Sequence, residues 1–157
     1  MAFRLVSSGG AVVEPAMVNL AASGTIIPGS MVDFNRTSGV PITPTVTTST
    51  GTMIFGVALD YAQGASDTFV RVIPIDPSQL WEVDCANAAT TAQTGIRHAI
   101  SASTVNRGGV IHNTATDIPG NLGIFLALMM TGATTGSGKL IGKILSKSNI
   151  EPYSGGL

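Results

Sequence analysis

The sequence predicts an all-β protein, a small antiparallel β-barrel or sandwich with long loops. Apolar and polar residues alternate in short segments such as TFVRVIPI (68–75) and QLWEVDC (79–85). Alternation with period two is typical of a strand that is buried on one face only. Turn dipeptides separate such segments at intervals of roughly ten residues, which favours an antiparallel sandwich or barrel.

The predicted strands follow one another along the chain, and each break between them has a local cause. The clearest strand-like segments are 17–23, 24–35, 52–62, 68–75 and 79–85, and the later segments RGGVIHN, NLGIFLALMM and KLIGKILS complete the set. The turn dipeptides are Pro28-Gly29, Ser38-Gly39, Gln63-Gly64 and Asp76-Pro77. Proline presets φ, glycine accepts a positive φ, and aspartate can bond to its own downstream backbone.

Three segments depart from the alternating pattern. Residues 37–51 are rich in threonine and proline, and we expect a long loop or an extended arm there. Residues 86–94 are rich in alanine and can hold one short helix, although Thr90 and Thr91 lower the helix propensity, so helix and loop both remain open. In KLIGKILSK (139–147) the apolar residues have helical spacing, and three lysines lie on the other face.

Two glycines lie in similar surroundings. The segments IFGVALDYA (54–62) and LIGKILSKS (140–148) share two apolar residues before the glycine and an apolar-leucine pair after it. A glycine inside a strand often marks a bulge, a barrel corner or a close approach of another backbone. We therefore expect equivalent bends at Gly56 and Gly142.

Composition indicates one domain that is built for contact with other subunits. The chain has 157 residues, which suits a single β-rich domain over 1–157. Charged residues make up 11% of it, against about 25% in an ordinary soluble domain. A surface of Thr, Ser, Asn, Gly and Ala repels other copies weakly, which favours a homo-oligomer. Residues 1–16 and 149–157 are candidates for an N-terminal arm and a C-terminal tail, ordered only in the assembly.

Charge and hydropathy argue against several classes of partner. The net charge is −1 and the basic residues are scattered, so the footprint of a nucleic-acid-binding protein is missing. The longest apolar run, 122–130, is about half of the ~20 residues that span a bilayer. The first residues lack the apolar core of a signal peptide. Cys85 is the sole cysteine, so an intrachain disulfide and a cysteine zinc site are both excluded.

The segment TGATTGSGKL (131–140) has the strongest appearance of a catalytic motif. A phosphate-binding loop requires G-x-x-x-x-G-K-[ST], because its amides wrap the phosphates and its hydroxyl holds Mg²⁺. Ala133 and Leu140 occupy two of the defining positions. Few residues follow Lys139 to supply the later metal-binding aspartate. We therefore predict a glycine-rich turn.

The remaining candidates for catalysis are few. Cys85 can pair with His98 or His112 as a nucleophile, but it lies on the same alternating side of its strand as Trp81 and Val83, as a buried structural cysteine does. Glu82 and Asp84 lie on one side of the same strand, roughly 7 Å apart, a separation that catalytic carboxylates also show.

Acidic residues such as Glu82 and Asp84 are found more often on the solvated side of an edge strand than in a catalytic site. Asp60 and Asp67 flank Gly64 as turn residues rather than as calcium ligands. We therefore predict a protein that is not an enzyme, without catalytic, cofactor-binding or metal-binding residues.

One stretch resembles a known family. The segments GTIIPGSMVDFN and IFGVALDYAQGASDTFVRVIPI, within residues 24–75, are similar to the decoration (cement) proteins of tailed bacteriophages. Those proteins have a G-x-x-x-x-G-x-x-V segment, then G-V-A-L-x-x-A-x-x-G and a V-x-V strand. The matching positions here are Gly24, Gly29, Val32, Gly56, Val57, Ala58, Leu59, Ala62, Gly64, Val70 and Val72.

The resemblance implies a structural protein of the virion. Such a protein is made in the cytoplasm of the host bacterium, binds the outer surface of the capsid, often as a trimer, and bridges neighbouring major capsid subunits. The family has no catalytic residues to transfer. Two alternatives remain open: another virion component, such as a head fibre base or a minor tail protein, and a small β-barrel enzyme or ligand-binding module that uses Glu82, Asp84, His98 or the loop at Gly136.

Overall fold

The computed structural model describes residues 3–10, 12–19, 25–34, 41–42, 54–63, 67, 69–101, 110–112, 115–118, 124–132 and 138–145. These residues form an all-β fold, as the alternating pattern predicts. The strands are β1 (Phe3–Ser7), β2 (Ala16–Asn19), β3 (Thr25–Ile26), β4 (Met31–Phe34), β5 (Pro41–Ile42), β6 (Ile54–Ala58), β7 (Ala62–Gln63), β8 (Phe69–Pro74), β9 (Leu80–Asp84), β10 (Arg97–Ser101), β11 (Val110–His112), β12 (Phe125–Thr131) and β13 (Lys139–Ile144). No helix in these ranges is long and apolar enough to span a membrane.

The strands form two main sheets. One has six strands in the order β1-β9-β13-β12-β10-β11, the other has five in the order β2-β8-β6-β4-β5, and β3 pairs with β7 in a small third sheet. Neighbouring strands run antiparallel. The six-stranded sheet curls until Cys85, just after β9, forms a single parallel bridge to Ile111 of β11. One bridge does not close a barrel, so the architecture is sandwich-like.

Two apolar clusters hold the sheets together. The larger cluster joins the two main sheets: Phe3, Trp81 and Phe125 come from the six-stranded sheet, and Met31, Val57 and Ile73 from the five-stranded sheet. The rings of Phe3 and Phe125 meet edge to face, with centroids 6.2 Å apart. The smaller cluster lies on the opposite face of the five-stranded sheet, where Val32, Val70 and Val72 pack against Ile26 and Ala62 of the small third sheet. The five-stranded sheet is therefore buried on parts of both faces.

The two strand glycines have the role that their shared sequence pattern predicts. A Cβ on Gly56 would lie 2.3 Å from the carbonyl oxygen of Ile73, and a Cβ on Gly142 would lie 2.0 Å from that of Leu126. The pairing register shifts beside each glycine, between Val32 and Asp33 in β4 and between residues 127 and 129 in β12. Only glycine permits such a close approach of the neighbouring backbone.

Three expectations about local structure are corrected or narrowed. Part of the expected arm over 1–16 is a strand of the fold, because Phe3 is buried in the core and β1 (Phe3–Ser7) pairs with β9 within the chain. The short helix expected over 86–94 is a single 3-10 turn, Thr91–Gln93. The segment with helical spacing is strand β13, which lies between β9 and β12.

Other expectations fall partly or wholly outside the described residues. The expected C-terminal tail, 149–157, lies outside them, as does the Thr-rich segment 37–51 apart from β5. The Asp76-Pro77 turn has the expected chemistry, since the backbone N–H of Ser78 donates to Asp76 Oδ1 at 2.8 Å. Gly29 has a φ of 81°, which its turn requires.

Candidate functional site: a charged ladder and an uncovered sheet face

Strand β9 carries the two acidic residues that the sequence marks as candidates for acid–base chemistry. It is not an edge strand, because β1 pairs with it on one side and β13 on the other. Trp81 and Val83 point into the core, and Glu82 points to the other face, where it is only 8% exposed. The prediction of solvated carboxylates on an edge strand is therefore wrong for Glu82.

Glu82 belongs to a ladder of charges that crosses three adjacent strands, made of Arg4 on β1, Glu82 and Asp84 on β9, and Lys139 on β13. Arg4 lies directly opposite Glu82, and Lys139 directly opposite Asp84. Arg4 Nη2 lies 3.0 Å and Lys139 Nζ 3.2 Å from the same oxygen, Glu82 Oε1. Lys139 Nζ also lies 3.5 Å from Asp84 Oδ1. Two cations and two carboxylates thus neutralise one another.

The ladder shifts the pKa values of Glu82 and Lys139 in the directions that pairing requires. Burial by itself raises the pKa of Glu82, but the hydrogen bonds from Arg4 and Lys139 outweigh it and leave the pKa lowered. The hydrogen bond to Glu82, supported by the charge of Asp84, raises the pKa of Lys139 against the effect of burial. At neutral pH these side chains are charged and paired, which suits a structural clamp better than proton transfer.

A small cleft lies beside the ladder. It has a volume of about 280 Å³ and is lined by residues 84–88 together with Gly138 and Lys139. Burial raises the pKa of the Cys85 thiol to about 11, and a backbone hydrogen bond at Leu140 only partly offsets this. The thiol is therefore protonated at neutral pH and lacks the activation that a nucleophilic cysteine needs.

His98, one of the two histidines that the sequence offers as a partner of Cys85, is hydrogen-bonded to the backbone. His98 on β10 is fully buried, and its Nε2 lies 2.8 Å from the backbone carbonyl of Gln93, to which it donates. Its Nδ1 has no partner among the described atoms. The side chain of His112 lies outside the described structure. His98 thus anchors the 3-10 turn to the sheet.

The glycine-rich segment before Lys139 does not lead into a helix. Lys139 begins β13 in an antiparallel sheet, and its amine binds Glu82 and Asp84. Residues 133–137, which include the loop at Gly136, lie outside the described ranges. Within those ranges, no three His, Cys, Asp or Glu side chains are placed to share a metal ion.

A second feature is an apolar area that nothing in the described structure covers. Val57 of β6 and Ile73 of β8 are neighbours on the same face of the five-stranded sheet, and both side chains lie in the core of the sandwich. Residues two apart on a strand share a face, so this same face continues to Arg71, Phe69 and Leu59. There it is open to solvent, with Phe69 49% exposed. The five-stranded sheet therefore extends beyond the part that the six-stranded sheet covers.

We call this area the uncovered face and define it by Met17, Leu59, Phe69 and Arg71. Met17 on β2 lies opposite Arg71 and is 63% exposed. The N–H of Leu59 donates to the carbonyl of Arg71 at 2.9 Å, which places Leu59 on the other side of Arg71. The strands β2 and β8 hold Met17, Phe69 and Arg71 in place before any partner arrives.

The charge on the uncovered face is internally balanced. Arg71 donates two hydrogen bonds to the carboxylate of Asp60, from Nε and Nη2, each 2.7 Å long. The bond from Arg71 lowers the pKa of Asp60, so the pair remains ionised. Asp60, predicted as a turn residue, therefore binds Arg71 instead. Asp67 has the predicted role in a turn, because its carboxylate accepts a hydrogen bond of 2.7 Å from the backbone N–H of Gln63. The uncovered face is thus apolar and neutral overall.

Sequence reasoning did not identify the uncovered face. The alternation in TFVRVIPI puts Phe69 and Arg71 on one side of the strand, but it does not say how much of that side another sheet covers. A large aromatic residue on the polar side of a strand was the available signal. Arg4 was also missed, because it lies in a segment taken as an arm.

Comparisons of this chain with protein-family models, with curated proteins and with solved structures found no match.

Proposed function

We propose that the protein is a structural virion component, which binds the outer surface of a tailed-phage capsid and stabilises it by bridging neighbouring major capsid subunits. The observation that carries the proposal is the uncovered face, which combines Met17, Leu59, Phe69 and Arg71. Methionine, aromatic residues and arginine are enriched in protein interfaces, where unpaired charge is depleted. The resemblance of residues 24–75 to decoration proteins supports the same proposal.

The properties of the rest of the molecule fit permanent assembly. A chain with only 11% charged residues offers little repulsion between copies packed side by side on a shell. A rigid antiparallel sheet presents the uncovered face with little loss of entropy on binding. The proposal includes homo-oligomers and the major capsid protein as partners, and neither nucleic acid nor membrane.

No specific observation favours the alternative of an enzyme or a ligand-binding module. Its candidate groups Glu82, Asp84 and Lys139 bind one another, and the thiol of Cys85 is protonated. A cleft of about 280 Å³ lies at the lower end of the range for small-molecule sites, roughly 300–1,000 Å³.

The proposal is tested by mixing the purified protein with capsids that lack it, and measuring cosedimentation and the temperature at which the shells release their contents. We expect saturable binding and a higher release temperature. Phe69→Ser should weaken binding by about tenfold or more, because an aromatic anchor is lost. The matched control is Leu128→Ser, which truncates an exposed apolar residue of the six-stranded sheet and should bind like the wild type. Wild-type protein that does not bind capsids would overturn the proposal, and binding to tails or head fibres would favour the other virion roles.

A further inference from the structure

The free edges of the two main sheets differ in how they are protected. An unprotected edge strand presents backbone N–H and C=O groups to which another strand can pair, and proteins usually block it with charge, proline, a bulge or a covering segment. In the six-stranded sheet, β1 carries Arg4 and a register shift after Leu5. At the other edge, the backbone N–H of Ala86 covers β11 by donating to the carbonyl of Ile111 at 2.8 Å.

The five-stranded sheet has one protected and one unprotected edge. Strand β5 has only two residues and begins with Pro41. Strand β2 reads Ala-Met-Val-Asn, with no charge and no proline, and it pairs with β8 in unbroken register. Within the described residues no strand pairs with its outer side. Pro15 comes immediately before β2, and because proline has no backbone N–H to donate, the stretch to which a further strand can pair begins at Ala16.

We propose that β2 pairs antiparallel with β2 of a second copy of this chain, about a two-fold axis perpendicular to the sheet. Side chains directly opposite each other in an antiparallel pair lie on the same face. A register with Met17 opposite the second copy's Met17 satisfies this rule and also sets Ala16 opposite Val18. The strand is self-complementary in this register, because each of the three positions meets an apolar side chain. Val18 is buried in the smaller cluster and Ala16 packs against it, so the pairing extends that cluster across the axis.

The charges near the axis permit this pairing. Arg71 is the nearest cation, one strand inward from Met17. Three strand spacings of about 4.8 Å separate the two copies of Arg71 by roughly 14 Å, which exceeds the Debye length at physiological salt. Each Arg71 is also neutralised by its own Asp60. Among the described residues of β2 and β8, therefore, no unpaired charge opposes contact.

The two-fold axis has a geometric consequence. Rotation about an axis perpendicular to the sheet keeps the uncovered faces of both copies on the same side of the joined sheet. The dimer thus presents two identical apolar surfaces in one direction, which is what a bridge between two neighbouring subunits of a shell requires. The pairing itself does not depend on the capsid proposal and is tested in solution without capsids.

The test uses cysteine crosslinking in a Cys85→Ser background, with Cys85→Ala as the replacement if the serine variant does not fold. Opposite Cβ atoms in an antiparallel pair lie about 4.5–5.5 Å apart, close enough for a disulfide after small adjustment. Met17→Cys should therefore form a covalent dimer under mild oxidation. Leu128→Cys, equally exposed but on the other sheet, should remain uncrosslinked.

A second measurement keeps the native cysteine. Light scattering after size-exclusion chromatography should show a dimer for the wild-type protein and a monomer for Met17→Lys, since two lysines would meet at the axis. Leu128→Lys should remain a dimer. A wild-type monomer at every concentration tested, an oligomer unaffected by Met17→Lys, or a trimer whose Met17→Cys variant does not crosslink would each overturn the proposal. A dimer that fails to bind capsids would overturn only the proposed function.

Discussion

Replacement of Glu82 by glutamine measures what the charged ladder contributes to stability. The substitution keeps the shape of the side chain and removes the charge that Arg4 and Lys139 share. Arg4 is 62% exposed and Lys139 42% exposed in their side chains, so water can solvate both cations after the loss. The cost therefore lies nearer to the ~0.2–1 kcal/mol of each exposed pair than to the ~3–5 kcal/mol of a broken buried pair.

Two such pairs give an expected loss of about 0.4–2 kcal/mol in the free energy of unfolding at neutral pH. At about 2–4 °C per kcal/mol for a domain of this size, Tm should fall by roughly 1–8 °C. The assay is thermal unfolding followed by circular dichroism. Glu14→Gln is the matched control, because Glu14 is exposed and should leave Tm unchanged.

The pH dependence of the difference in Tm between wild type and Glu82→Gln separates the contribution of charge from that of packing. The pKa of folded Glu82 is lowered from its ordinary value of 4.5, so its ion pairs stabilise the fold fully above that value and lose this effect as the pH falls through the folded pKa. The difference in Tm between wild type and Glu82→Gln should therefore shrink towards zero in acid. A difference that is absent at neutral pH, or that does not change with pH, would refute the reasoning.

The other predictions concern single positions. Gly142→Ala should lower the free energy of unfolding by about 3 kcal/mol or more, at the upper end of the cost of overpacking. The control is Gly10→Ala, because Gly10 has a φ of +87° but no neighbour within 4 Å of an added Cβ. The Gly142 variant should melt well below the control, and equal melting temperatures would contradict the close contact at Gly142. Alkylation of Cys85 by iodoacetamide should be slow at pH 7 and accelerate towards pH 11, because burial raises the pKa of the thiol to about 11; fast reaction at pH 7 would show an activated thiol. The hydrogen bond from Arg97 lowers the pKa of Asp117 to about 2, and titration followed by nuclear magnetic resonance should give a value near this. Arg97→Gln should raise the pKa of Asp117 towards its ordinary value of 3.8.

Period-two alternation predicted β8 and β9 because each strand has one well-defined core face over most of its length. It failed at β13, where Leu140, Ile141 and Ile144 are all buried. Leu140 and Ile144 belong to the core cluster, whereas Ile141 lies on the other face, opposite Glu82, and apolar residues at 140, 141 and 144 then imitate the spacing of a helix. Local pattern alone does not distinguish these two arrangements.

Strand β1 (Phe3–Ser7) could not be predicted from the sequence for a related reason. Nothing local in FRLVS distinguishes an arm from an edge strand, because the strand is stabilised by a partner 78 positions away in the sequence, as the Arg4–Glu82 contact shows. The uncovered face depends on the same kind of information. Phe69 and Ile73 lie on the same side of one strand, and only the extent of the opposing sheet decides which of them is buried.

The sequence by itself determined the all-β class, the turns at Pro28-Gly29 and Asp76-Pro77, the irregularity of the strands at Gly56 and Gly142, and the low charge of the chain, because each of these follows from residues that are near one another along the chain. The tertiary structure decided which strands are edges, that Glu82 is paired and nearly buried, and that Met17, Phe69 and Arg71 form one exposed surface. These properties depend on which strands become neighbours, and strand pairing is set by contacts between distant parts of the chain.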